Sequence, residues 1–125
     1  MQEFRIAPSK NTPEIFMSPA GIIRIKGRSI HENVSDFFVP VETWVSEYTL
    51  NPAQLTTIDL NLEYCNSSSA KAMIQMLQQV KAVTSKNKSF VINWYYEEGD
   101  DDILERGEYF ASILDVPMNF IKIKT

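Results

Sequence analysis

The stretch Thr57-Ile58-Asp59-Leu60-Asn61-Leu62-Glu63-Tyr64-Cys65-Asn66-Ser67-Ser68-Ser69-Ala70-Lys71 decides the fold, because the hydrophobic period changes inside it. Up to Tyr64, the apolar Ile58, Leu60 and Leu62 alternate with polar residues. That alternation places one apolar side along an extended chain, the pattern of a half-buried strand. Beyond the polar run Asn66–Ser69, the residues Met73, Ile74, Met76, Leu77, Val80 and Val83 recur at three- and four-residue steps. They form the buried side of an amphipathic helix. Lys86-Asn87-Lys88 makes a loop, and the β-branched and aromatic run Ser89–Tyr96 reads as the next strand. Parallel strands joined by a helix cross over right-handedly in ~98% of cases. The strands ending at Tyr64 and Tyr96 are therefore expected to be parallel, with both carboxyl ends on one edge of a sheet.

Upstream, Val34, Phe37, Phe38, Val41, Trp44, Val45 and Tyr48 form a helical stripe that Asn51-Pro52 closes. Pro40 lies inside it. A proline there is expected to end or kink the first turns near Val39, or to open a second helix on the same face. The turn Ser18-Pro19-Ala20-Gly21 separates Glu14–Met17 from Gly21–Lys26, which predicts a β-hairpin. Phe4-Arg5-Ile6 is a candidate for a further short strand. Downstream, the acidic stretch Glu97–Asp102 leads into a helix carrying Ile103, Gly107, Phe110 and Leu114; Phe120–Ile123 is the last strand. The expectation is an α/β domain with a mixed, mostly parallel five-stranded sheet and an N-terminal hairpin. Its strands fall near 13–17, 21–26, 56–63, 89–96 and 119–124, and about three helices near 34–49, 68–84 and 101–114.

The chain has 125 residues, enough for one domain with a substantial core, and 44% of them are hydrophobic. A net charge of −4 gives no general attraction for nucleic acid or for anionic lipid. No apolar run approaches the ~18–20 residues that span a bilayer, and the N-terminus lacks the layout of a signal peptide. With one cysteine, Cys65, there is no disulfide framework. The expected location is the cytoplasm, with neither membrane nor nucleic acid as partner.

Catalytic and cofactor chemistry lacks its parts. His31, the single histidine, has no second base or nucleophile to complete a pair with, and one His with one Cys cannot build a zinc site. No glycine pattern that cradles phosphates occurs, so no cofactor is expected. The run Glu97-Glu98-Gly99-Asp100-Asp101-Asp102 reads as a solvated loop whose last carboxylates start a helix. Its sharper alternative is a small-molecule- or metal-binding module centred on residues 97–102, although the spacing is not that of an EF-hand. Ser67-Ser68-Ser69 carries two readings. A serine between a strand and a helix is an ordinary N-cap. The same position also favours a phosphate, and Lys71, one turn beyond Ser67, projects over it.

Three stretches together resemble the SiaC family of bacterial regulatory phosphoproteins. They are Gly27-Arg28-Ser29-Ile30-His31-Glu32-Asn33 with Phe37-Phe38, Pro40 and Trp44; Leu62–Lys71; and Trp94-Tyr95-Tyr96-Glu97-Glu98-Gly99-Asp100. The resemblance, which includes Thr12-Pro13-Glu14, runs through nearly the whole chain and implies one such domain over residues 1–125. It further implies a fold like the STAS-type anti-sigma-factor antagonists, and a phosphorylated hydroxyl at a helix start, where the family usually has Tyr-Phe-Asn-Thr-Ser-Ser. Ser67 stands at the threonine position, with Ser68 and Ser69 as alternatives. Cys65 replaces the phenylalanine, and His31 stands where proline is common. A Ser/Thr protein kinase would add the phosphate and a metal-dependent protein phosphatase would remove it. The unphosphorylated form would bind and activate a diguanylate cyclase, raising cyclic di-GMP and favouring biofilm. Arg28, Tyr64, Asn66, Lys71, Glu97 and Asp100 are the residues expected to meet the phosphate or the partner.

Overall fold

A computed structural model of the chain describes residues 1–30 and 33–124. Among the described residues, six strands form one sheet in sequence order: β1 (Phe4–Ile6), β2 (Glu14–Ser18), β3 (Ile22–Ser29), β4 (Leu55–Cys65), β5 (Ser89–Glu97) and β6 (Asn119–Ile123). Phe4–Ile6 thus joins as an edge strand, and the sheet has six strands where five were expected. Three residues give too short an alternation to read securely from sequence; pairing with β2 is what holds them extended. The β1–β2 and β2–β3 pairs are antiparallel, whereas β3–β4, β4–β5 and β5–β6 are parallel. The expected parallel relation of the strands leading to Tyr64 and Tyr96 holds.

Each parallel step carries one helix: α1 (Val34–Tyr48), α2 (Ser67–Val80) and α3 (Asp101–Leu114). Because the strands follow one another in order and each crossover is right-handed, all three helices fall on the same side of the sheet. The register shows that side as two continuous apolar rows, Met17–Ile23–Ile58–Ile92 and Ile15–Ile25–Leu60–Trp94. Both rows belong to one core with Phe38, Val41 and Val45 of α1, Met73, Met76 and Leu77 of α2, and Ile103, Phe110 and Leu114 of α3.

Pro40 neither ends nor divides α1, which runs unbroken from Val34 to Tyr48. Its ring is on the solvent side, where the carbonyl left without an amide partner can turn to water. The opposite stripe, Phe38, Val41, Trp44, Val45 and Tyr48, holds the helix to the sheet. Beyond α2 the backbone tightens into a 3-10 segment, Lys81–Lys86, which ends at Asn87 in the left-handed region at φ 61°. The Lys81 ammonium donates to the Leu114 carbonyl at 2.6 Å and so ties this end of α2 to the last turn of α3.

Candidate functional site

Parallel strands bring the ends of β3, β4 and β5 to one edge of the sheet, where α2 begins. Asn66, not Ser67, is the N-cap: its backbone is extended and its side-chain oxygen accepts from the Ser69 amide at 2.9 Å. Ser67 is therefore the first helical residue, exposed, and its hydroxyl takes up no hydrogen bond among the described residues. The three serines differ sharply. Ser69 has no exposed surface, and its hydroxyl accepts from that of Ser29, itself 1% exposed, at 2.7 Å. The Asn66 amide donates to the Ser29 carbonyl at 3.1 Å, so two bonds fasten the start of α2 to the end of β3. Ser68 is exposed but opens onto a different cavity, with Val34, Ser35 and Lys71.

Ser67 opens onto a groove of about 540 Å³ between α2 and α3. One wall is Ser67, Ala70, Lys71, Ile74 and Gln75, and the other is Arg106, Tyr109 and Ile113. The lining is largely apolar and includes one cation from each helix, Lys71 of α2 and Arg106 of α3. Neither Lys71 nor Arg106 forms an ion pair among the described residues, where the two that occur join Arg5 to Glu3 and Arg24 to Asp59.

Burial pushes the Cys65 thiol up to about 11, partly opposed by the positive charge of Arg106, and its Sγ lies 3.5 Å from the Asn66 carbonyl oxygen. It is a small buried side chain that belongs to the core cluster.

The other expected site residues divide between neighbouring surfaces. Tyr64 lines an adjoining cavity with Asp102, Glu105, Arg106 and Tyr109, so it shares one wall with the groove. Arg28 is exposed opposite Tyr64, past an irregularity between Gly27 and Arg28, and lines neither cavity. Glu97 and Asp100 lie on the same edge of the sheet but in a separate cavity, with Asn61, Leu62 and Glu63. Asp100 is the N-cap of α3, accepting from the Ile103 amide at 3.1 Å, and Asp101 and Asp102 occupy the first turn. Among the described residues, no group of three or more His, Cys, Asp or Glu side chains is placed to hold a metal ion. His31 and Glu32 lie outside the described residues. Sequence reading missed Arg106, Tyr109 and Ile113, although their spacing of three and four marks one face of a helix. The stripe Ile103, Gly107, Phe110 and Leu114 drew attention to the buried face instead.

Comparison with known proteins places this geometry. A family model described as "SiaC family regulatory phosphoprotein" matches residues 6–123. An uncharacterized protein of Pseudomonas aeruginosa (strain UCBPP-PA14) is 27% identical over 118 residues, which cover 94% of each chain. Among solved structures, SiaC of Pseudomonas aeruginosa superposes with a TM-score of 0.83 at 25% identity, covering 100% of both chains. A chain in the crystal structure of the diguanylate cyclase SiaD in complex with its activator SiaC, also from Pseudomonas aeruginosa, matches with a TM-score of 0.84 at 26% identity. That match covers 98% of this chain and 99% of the other.

Proposed function

The chain belongs to the SiaC family of regulatory phosphoproteins, and from that premise we propose that it is a non-enzymatic binding protein switched by reversible phosphorylation of Ser67. The observation that carries this reading is the position of the Ser67 hydroxyl. It is exposed, it is released from capping by Asn66, and it opens onto a groove with a cation on either wall. Ser69 is sealed in the core and bonded to Ser29, so a phosphate there would first have to break open the start of α2. Ser68 opens away from Arg106.

The first-turn amides and the helix dipole favour an anion at Ser67. A Ser/Thr protein kinase would supply the phosphate and a metal-dependent protein phosphatase would remove it. A diguanylate cyclase is the effector class we assign to the unmodified form. The support is the similar SiaC, which is the activator of SiaD in their complex.

Phosphorylation adds about −1.5 to −2 charge at neutral pH. The test compares the affinity of the cognate diguanylate cyclase for the unmodified and the kinase-treated chain, with the site mapped by mass spectrometry. Phosphate on Ser67 should weaken binding by about tenfold or more, a loss of ~1.4 kcal/mol. Ser67→Ala should bind constitutively and resist the kinase. Ser67→Asp should imitate the phosphate only in part, having one charge and a different shape. Equal affinities, or phosphate on Ser69 with Ser67 untouched, would end this reading.

A further inference from the structure

The groove beside Ser67 has two walls, and the cations on them come from different helices. Lys71 stands one turn along α2 from Ser67, whereas Arg106 reaches in from α3. Arg106 is half-buried, lies within electrostatic reach of Cys65 two residues before Ser67, and forms no ion pair among the described residues. Arg106 and Tyr109 also line the adjoining cavity with Tyr64, Asp102 and Glu105, and those two carboxylates do not line the Ser67 groove. Lys71 and Arg106 are set apart by lining the same groove as the Ser67 hydroxyl, one from each helix. Arginine suits the second wall, because its planar fork can hold two oxygens of a phosphate at once, whereas lysine acts as a point charge.

The geometry points to Arg106 as the second jaw of a phosphate clamp: phosphate on Ser67 is held between Lys71 of α2 and Arg106 of α3, across the mouth of the groove. This rests on the reading of Ser67 as the phosphoacceptor. It deepens that reading by naming a residue on another helix and by fixing what the phosphate does. The modification neutralises the two positive charges that line the groove in the unmodified chain, and it links the two walls. Ser68 shares Lys71 but not Arg106, so the clamp is specific to one of two adjacent exposed serines.

The experiment places phosphoserine at position 67 of the full chain by genetic encoding, which needs no kinase, and follows its second ionisation by phosphorus NMR. Nearby cations stabilise the dianion, so the pKa should fall below the ordinary value of about 6. Asp102 and Glu105 oppose this shift, and the Cys65 thiol stays neutral throughout the titration. Arg106→Gln should raise the pKa back by roughly half a unit, Lys71→Gln by a similar amount, and Arg106→Lys should restore part of the shift. Phosphoserine at position 68 should respond to Lys71→Gln and not to Arg106→Gln. A pKa at position 67 that is the same with and without Arg106 would overturn the clamp. If cyclase affinity still fell on phosphorylation in that case, the switch would survive without it. An Arg106-dependent pKa with unchanged cyclase affinity would instead retain the clamp and remove the switch.

Discussion

Gly107 is where one atom decides the packing of α3. A Cβ built there would lie 2.6 Å from Cδ1 and Nε1 of Trp94, closer than real contacts allow. The indole cannot retreat: it has no exposed surface, its N–H donates to the Ile103 carbonyl at 3.0 Å, and Phe110 packs against it with ring centroids 4.9 Å apart. In an open helix, Gly→Ala would stabilise by about 1 kcal/mol. Overpacking costs ~1–3 kcal/mol and should win here. Gly107→Ala should therefore lower the urea midpoint, by a net of up to ~2 kcal/mol; a raised midpoint would show that the indole moves after all. The same scale separates what could be read in the sequence from what could not. Ser67 and Lys71 are one helical turn apart on one segment, so their proximity is written in their spacing. Arg106 lies 39 positions beyond Ser67, and only the packing of α3 beside α2 brings it to the same groove.

Elements were legible wherever a period was long enough to count. The alternation of β4 and the stripes of α1 and α3 stand where the periods predict, whereas α2 ends at Val80 and not near 84, which leaves Val83 of its expected stripe in the 3-10 segment. Ends were harder, because they depend on single hydrogen bonds. The cap of α2 is Asn66, one residue before the serines that composition favours. Its side chain satisfies the Ser69 amide, while the Ser69 hydroxyl is committed to Ser29. Asn66→Ala should remove about 1 kcal/mol of stability, and Asn66→Asp should retain most of it, since both Asn and Asp cap well. Chemical denaturation measures the difference. An equal loss in both variants would mean that Asn66 stabilises through something other than its cap. Pro40 shows the opposite limit: its local preference to break a helix is outweighed by the buried stripe on the far side of the same helix.

The sequential strand order makes the whole molecule two-faced. All the helices cover one side of the sheet, and the other carries a row that crosses all six strands in register: Arg5, Phe16, Arg24, Asp59, Asn93 and Asn119. Asn119 donates to Asn93 at 3.0 Å, Asn93 to Asp59 at 2.9 Å, and Arg24 faces Asp59 at 3.9 Å. Such half-exposed pairs each contribute only ~0–1 kcal/mol. This face is remote from the groove, and it supplies a control for the charge that the groove presents. If the unmodified chain meets an acidic surface of the proposed cyclase partner through Lys71 and Arg106, their attraction is screened as salt rises. The Debye length falls from about 10 Å at 0.1 M to about 3 Å at 1 M. Affinity of the unmodified chain should fall steeply over that range. The double variant Lys71→Gln with Arg106→Gln should bind about tenfold more weakly at low salt and show a much flatter dependence. Arg24→Gln with Lys26→Gln removes the same formal charge from the open face, so a net-charge effect would act equally in both. Calorimetric titration of each pair against salt decides between them. Flattening only in the groove pair places the attraction at Ser67, whereas equal flattening in both would show that the cyclase responds to total charge and not to the groove.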